Sequence, residues 1–313
     1  MTRKQHKTLL TALHSAKTTG RQAVPGNARR WAFAFTLLML LACAEDDITP
    51  SANNRLVEFP QGNNAYDAEI KQIYDEYGTL MLYRYDDAMF RWQITDQLGY
   101  VSQPADETCV AEAVTFIRQH CFQYYQRDSL RKYLPYRFYL ARQLGRLHEY
   151  TGLDAAGNNV SVRDTLWNRA AANGYANLCF GLAAPRLRTL SQDSLRLAKG
   201  ELNAALLANA IGQGHIKVPA AFTKEEVQNT VWYDYQGSYN TYGLLEYIDP
   251  KTMTPAQDFA QFLKYLIAYP ADEFERRFTV KTFDTSGRIA RKAKVAREWM
   301  LSEYGIDTEA MAK

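Results

Sequence analysis

Histidine and cysteine are scarce in this 313-residue chain, with five of the first and four of the second. No two cysteines stand in a CxxC spacing, so a cysteine-ligated zinc site has no sequence support. There is no GxSxG turn to expose a nucleophilic serine, and no GxxxxGK[ST] or GxGxxG loop to cradle phosphates. The His-Glu pair His148-Glu149 is followed by Gly152 where HExxH needs its second histidine. That motif works because positions i and i+4 share a helix face, aiming two imidazoles at one metal while the glutamate holds the water. His148 therefore reads as a polar structural residue. The carboxylate pairs Asp86-Asp87 and Glu225-Glu226 fall in turn or helix-start contexts, where capping and solvation account for them.

What the chain does have begins at its N-terminus. Residues 1–42 carry seven Lys or Arg and no acid, followed within the same stretch by WAFAFTLLMLL, Trp31 to Leu41. Eleven apolar residues are too few for a membrane-spanning helix, which takes about 20, but they fit the h-region of a secretory signal. The run ends in Leu40-Leu41-Ala42-Cys43, which resembles the lipobox of bacterial lipoproteins, where the cysteine is lipidated and becomes the new N-terminus. Removing the leader and its seven bases leaves 30 basic against 34 acidic side chains, a net charge of about −4. The basic balance of the whole chain thus belongs to the leader, and no nucleic-acid partner is expected. Ala44-Glu45-Asp46-Asp47 begins an acidic tether, 43–65, of the kind that accompanies export to the outer face of an outer membrane.

A folded region is expected over 66–313. Ile70, Ile73, Tyr74 and Tyr77 stand at helical spacing before Gly78, which stops that helix. Thr79–Tyr85 and Ala88–Ile94 read as strands, residues 105–121 as one helix, and Arg131–Leu140 as a strand that Arg142–Tyr150 either continues or turns away from. On a continuous helix Cys109 and Cys121 lie about 18 Å apart, beyond disulfide reach, so Cys179 is the only available partner for either. Leu153–Val162 carries a turn signal and Tyr175–Gly181 reads as a strand. Ser191 to Ser194 starts a long central helix, ELNAALLANAIGQGH at its core, running to Gly212 or Gly214. Thr223 reads as a further N-cap. Thr254 caps and Pro255 opens a helix with Phe259, Phe262, Leu263 and Leu266 in a stripe, and a last helix covers Ser286–Tyr304. The expected fold is one α+β domain, with a mixed sheet early and helices late.

Several of these stretches resemble the zinc-binding metallopeptidase lipoproteins associated with TonB-dependent nutrient import. They are EIKQIYDEYGTLMLYRY, RWQIT, YLPYRFYLA, SQDSLRLAKGELNAALL and PAQDFAQFL, spread over roughly 66–310. The resemblance implies a zincin-like domain in which a central HExxH helix gives two ligands and the general base, and a second helix gives the third ligand. With Pro219 holding the family's downstream proline, the two histidine positions fall on Ala205 and Asn209, the glutamate on Leu206, and the third ligand on Gln257 beside Asp258. Alanine and leucine offer zinc nothing, and neutral asparagine and glutamine are weak ligands. Leu206 cannot act as a base. The family implies zinc, yet no cofactor is expected here.

The reading favoured by the sequence is a surface-exposed outer-membrane lipoprotein, catalytically inactive, that serves as an accessory of a nutrient import system. Its implied partners are the membrane, through the lipid on Cys43, and a TonB-dependent transporter with its surface lipoprotein. Candidate binding residues are Tyr233, Tyr235 and Tyr239 in a Gly-containing loop region with Asp234 and Tyr242, together with His215 just past the central helix and Asp258. The alternatives are an active zinc hydrolase with a relocated site on His215, His148, Asp234 or Asp258, and a purely structural lipoprotein. In the expressing bacterium, Cys43→Ser is expected to abolish incorporation of labelled palmitate and to move the chain out of the membrane fraction. An unchanged palmitate signal would remove the lipobox reading.

Overall fold

Asn64 and Gly78 set the limits of the first helix in the computed structural model, which describes residues 57–91, 99–174, 176–224, 239–246 and 253–313. The Asp67 carboxylate accepts the Asn64 backbone N–H at 2.8 Å, closing the first turn of α1 (Ala65–Tyr77). Gly78 ends it in the left-handed region, φ 78°, with its N–H on Tyr74 O. The chain just before α1 is not loose, as the expected tether would be. Phe59 packs on the Tyr74 ring at 5.2 Å, and the Gln61 side-chain oxygen accepts the Tyr83 N–H at 2.8 Å. Cys43 and the leader lie outside the described residues.

The sheet is mixed. Its strands are β1 (Leu80–Leu82), β2 (Tyr100–Pro104), β3 (Arg137–Leu153), β4 (Asn159–Arg169), β5 (Ala171–Asn173) and β6 (Asn177–Phe180). The buried path is β1-β3-β6-β5, with β3 parallel to both neighbours and β5 antiparallel to β6. Alternation places Met81, Phe138, Leu140, Leu178 and Phe180 on the face that joins the main core. Leu80, Leu82, Tyr139, Ala141 and Cys179 point the other way into a smaller cluster around Phe90. Beyond residue 140, β3 leaves its parallel neighbours and pairs antiparallel with β2 and then β4. From His148 to Leu153 it is paired with β4 alone, and Tyr150, Leu153 and Val160 are exposed on this two-stranded arm. Residues 154–158 make its turn, Asp154 accepting the N–H groups of Ala156 and Asn158.

Two expected strands are partly helical. Residues 88–91 belong to a short helix, α2 (Asp87–Arg91), because the Asp86 carboxylate takes the Met89 N–H at 2.7 Å; residues 92–94 lie outside the described ones. Residues 131–133 finish α4 (Arg127–Tyr133), which follows α3 (Val110–His120). Leu134, before Pro135, is forced extended, so the strand starts only at Arg137. Cys109, Cys121 and Cys179 are all buried free thiols, so neither pairing open to Cys179 is formed.

The helical half is built on α5 (Gln192–Gly212). The Ser191 hydroxyl caps it, accepting the Ser194 N–H. Pro219 opens α6 (Ala220–Thr223), where Thr223 is the last residue and bonds back to Ala220 O; residues 225–238, over which a helix capped by Thr223 would run, lie outside the described ones. The capping box of Thr254 and Gln257 with Pro255 starts α7 (Pro255–Ala268), and its expected stripe is buried. Then come α8 (Ala271–Phe278), α9 (Arg288–Tyr304), which the left-handed Gly287 starts two residues later than expected, and α10 (Thr308–Ala312). Periodicity had given no sign of α8 or α10. Lys199 on α5, 6% exposed, donates to Met311 O and holds α10 in place.

The contact of α5 with α7 is close because Gly200 has no side chain. A Cβ there would sit well inside van der Waals distance of the Lys264 carbonyl oxygen and 3.0 Å from the Ala268 Cβ. Gly200→Ala is expected to cost about 1–3 kcal/mol despite alanine's better helix propensity, because a backbone carbonyl cannot yield. Gly212→Ala on the same helix meets open space and is expected to gain about 0.5–1 kcal/mol. Thermal unfolding of the two variants beside the parent checks both signs.

Candidate functional site

A helix presents one face per 3.6 residues, and the open face of α5 is small-sided. Glu201, Ala204, Ala205, Ala208 and Gly212 fall at i, i+3, i+4, i+7 and i+11 and line a cavity of about 410 Å³. The facing wall is α7, through Gln257, Gln261 and Lys264, with the β5 residues Ala171 to Asn173 and Tyr100 on the sheet side.

The positions carried over from the resemblance divide between cavity and core. Ala205 and Gln257 do line the cavity. Leu206 is fully buried in the main core, and Asn209 is buried with its amide donating to Tyr133 O at 2.7 Å. A step of one residue turns a helix by 100°, and counted one residue earlier the motif positions fall on Ala204, Ala205 and Ala208, all of which line the cavity. Those three are alanines, without a donor atom.

Asp258 does not face the cavity. It and Lys292 are both 0% exposed and form an ion pair, with the ammonium also donating to Gly243 O at 3.0 Å and lying 4.6 and 4.7 Å from the ring centres of Phe222 and Phe262. Burial pushes the Asp258 carboxyl up while Lys292 opposes it. A buried pair of this kind fixes α7 against α9 and is closed to a ligand. His215 is exposed beyond α5, its N–H on Ala210 O, and is not part of the cavity wall. Tyr239 is half-buried, edge-on to Phe283 at 6.4 Å, and is likewise outside the cavity wall. His148 is exposed on the β3–β4 arm opposite Asp164. Tyr233, Asp234 and Tyr235 lie outside the described residues.

Four charges that sequence patterns did not single out meet at one end of the cavity. Glu201 accepts the Ala170 N–H at 3.1 Å and an Arg169 N–H at 3.4 Å. Lys264 donates to Glu246 at 2.7 Å, and the Tyr265 hydroxyl donates to the same carboxylate. Burial raises the Glu201 carboxyl above the usual range, with Lys264 and Arg169 opposing it incompletely. For Glu246 the balance is reversed. Burial pushes it up, but the Lys264 charge and the hydrogen bonds from Lys264 and Tyr265 together leave it below the usual range. Burial and Glu246 raise the Tyr265 hydroxyl. The only hint in the sequence was Glu201 itself, a lone acid on a face otherwise made of alanine and glycine.

Arg169, Glu201 and Lys264 also wall a second cavity of about 290 Å³ on the far side of the cluster. Within the first cavity Gln261 is 9% exposed and its side-chain oxygen has no hydrogen-bond partner among the described residues. Among the described residues no three His, Cys, Asp or Glu are grouped to hold a metal ion, and no helix is long and apolar enough to cross a membrane.

No protein-family model and no curated protein matches the chain. Among solved structures it is similar to one described as a "putative zinc-binding metallo-peptidase" from Bacteroides caccae ATCC 43185. The two are 13% identical, with a TM-score of 0.47, over 80% of this chain and 91% of that one.

Because the folded state holds the Glu201 proton more tightly than the unfolded chain does, its contribution to stability is present at low pH. It is lost as pH rises through the raised folded value. Glu201→Gln keeps an acceptor for the Ala170 N–H and removes the titration. The melting temperature of this variant relative to the parent is expected to climb between pH 4 and pH 8 (about the ordinary carboxylate range and above), as read by scanning fluorimetry. A flat difference would mean that Glu201 titrates normally.

Proposed function

We propose that the mature chain is a lipid-anchored protein of the outer-membrane surface, with a metallopeptidase-like architecture that no longer hydrolyses through zinc. It serves as a ligand-binding accessory of a TonB-dependent import complex. The observation that carries the loss of zinc chemistry is the set of side chains on the cavity face of α5. Where two imidazoles and a carboxylate are required one helical turn apart, this face carries Ala204, Ala205 and Ala208. On α7 the corresponding wall carries Gln257 and Gln261, neutral amides that bind zinc weakly. The donor chemistry therefore does not fit the metal that the resemblance implies, in either helical register.

What the cavity retains is the means to bind. Its small floor leaves room, polar side chains from α5, α7 and the sheet side border it, and the Arg169–Glu201 and Lys264–Glu246 pairs hold their side chains in fixed positions. Anchoring through Cys43 and the acidic stretch after it support a location at the outer face, and the sequence resemblance supports a transporter as the partner.

The test is metal content joined to activity. After incubation with zinc and dialysis, the purified protein is expected to hold far less than one equivalent by plasma mass spectrometry and to leave casein intact. Stoichiometric zinc with peptide hydrolysis would overturn the reading.

A further inference from the structure

The charges, the lining and the unspent hydrogen-bonding groups of the cavity beside α5 restrict the ligand chemistry that it can hold. Resting on the reading of this cleft as a binding site, we propose that its ligand is an uncharged polyhydroxylated chain, an oligosaccharide, lying along α5.

Charge comes first. The ionic groups on the wall of the larger cavity are Arg169, Lys264, Glu201 and Glu246, two of each sign, and they are paired with one another at 3.4 and 2.7 Å. A charged ligand would have to break a pair and leave one member uncompensated at a half-buried site. An uncharged one can accept from the cations and donate to the carboxylates while both pairs stay intact.

The polar heads that surround the space are planar and two-pronged. Arg169, Glu201 and Glu246 are joined by the amides of Asn173, Gln257 and Gln261. Each presents two donor or acceptor atoms side by side, the arrangement that meets two neighbouring hydroxyls, since a hydroxyl both donates and accepts. Gln261 supplies the most direct sign of a missing partner. It is nine-tenths buried in the wall, and its acceptor oxygen, itself closed to solvent, has nothing to accept from among the described residues, so that a turn of the amide toward the cavity would bring it to a ligand. A ligand hydroxyl would supply the donor.

The apolar part of the wall is made of small side chains. Ala171, Ala172, Ala204, Ala205, Ala208 and Ala260 give a smooth surface, with Tyr100 as the aromatic ring beside it. Small side chains beside one aromatic ring leave room for the faces of sugar rings. Strand β5, which ends the buried sheet path, has only three residues, and Glu201 already takes the N–H of Ala170 just before it. A peptide added to that edge would find a very short ladder. The second cavity continues the same face of α5 back to Ser194. From Ser194 to Gly212 the helix rises about 27 Å, so an extended ligand has room on both sides of the Arg169–Glu201 pair.

The experiment uses the purified protein and isothermal titration with maltohexaose, xylohexaose and mannohexaose. An uncharged capped peptide, acetyl-(Ala-Gln)₃-amide, is titrated alongside. The proposal expects saturable binding of at least one hexasaccharide. Gln261→Ala should weaken it about tenfold, the loss of one hydrogen bond to the ligand, and Ala208→Trp, which fills the floor, should abolish it, both with the melting temperature held. Binding of the peptide alone would overturn the saccharide assignment and leave the cleft as a ligand site. Binding of none of the four would overturn both. Saccharide binding indifferent to Gln261→Ala and Ala208→Trp would place the sugar elsewhere and overturn the proposal.

Discussion

The absence of a side chain at Gly200 governs the arrangement of the helical half. It lets the backbone of α5 come against the Lys264 carbonyl on α7, and the residue that follows, Glu201, is thereby placed at the mouth of the cavity beside Lys264. Lys264 in turn holds Glu246, and Glu201 holds the chain at Ala170, where β4 passes into β5. One steric vacancy thus brings two helices, a sheet edge and a later loop to the same place. The Lys292–Asp258 pair acts on the other side of α7, fixing it to α9 without contributing to the cavity. The helix is fastened on one face and left open on the other.

A site built in this way is chemically divided. Its floor is alanine, which contributes volume and little else, and its polar groups are restrained by one another. Glu201 and Glu246 lie near the same lysine yet are driven in opposite directions, one by burial and the other by the donors around it. In an enzyme such a divergence separates an acid from a base. Here it sits beside a helix face whose other side chains are alanine and glycine, and it leaves Glu246 as the acceptor of the Tyr265 hydroxyl.

How much of this was legible in the sequence depends on the distance over which each feature is decided. The limits of α1, α5 and α7 are set by residues within one turn of the helix end, namely Gly78, Ser191 and the Thr254-Pro255 pair, and all were readable. Ala88 and Arg131 were misread because aromatic-rich composition resembles a strand, whereas the outcome rests on Asp86 as a cap and on Pro135 as a stop. The rotation of α5 was not readable, since alanine dominates both its cavity face and its core face, and its buried Asn203 and Asn209 give no sign in the sequence of which way they point. The charge cluster was readable only as a lone Glu201 on a small-sided face: Arg169, Glu201, Glu246 and Lys264 come from four separate segments, and nothing local to any of them announces the others.

Strand β3 carries a consequence of a different kind. Its first residues are held between two parallel neighbours in the core, while the stretch from His148 onward is held by β4 alone. A single covalent strand therefore spans two regimes of stability, because a two-stranded ribbon is marginal by itself and a central strand is not. The arm can fray, bend or be clipped by a protease while the sheet at Phe138 to Leu140 stays shut. Amide protons a few residues apart on the same strand then exchange on separate timescales, the outer ones by local opening and the inner ones only when the whole domain unfolds.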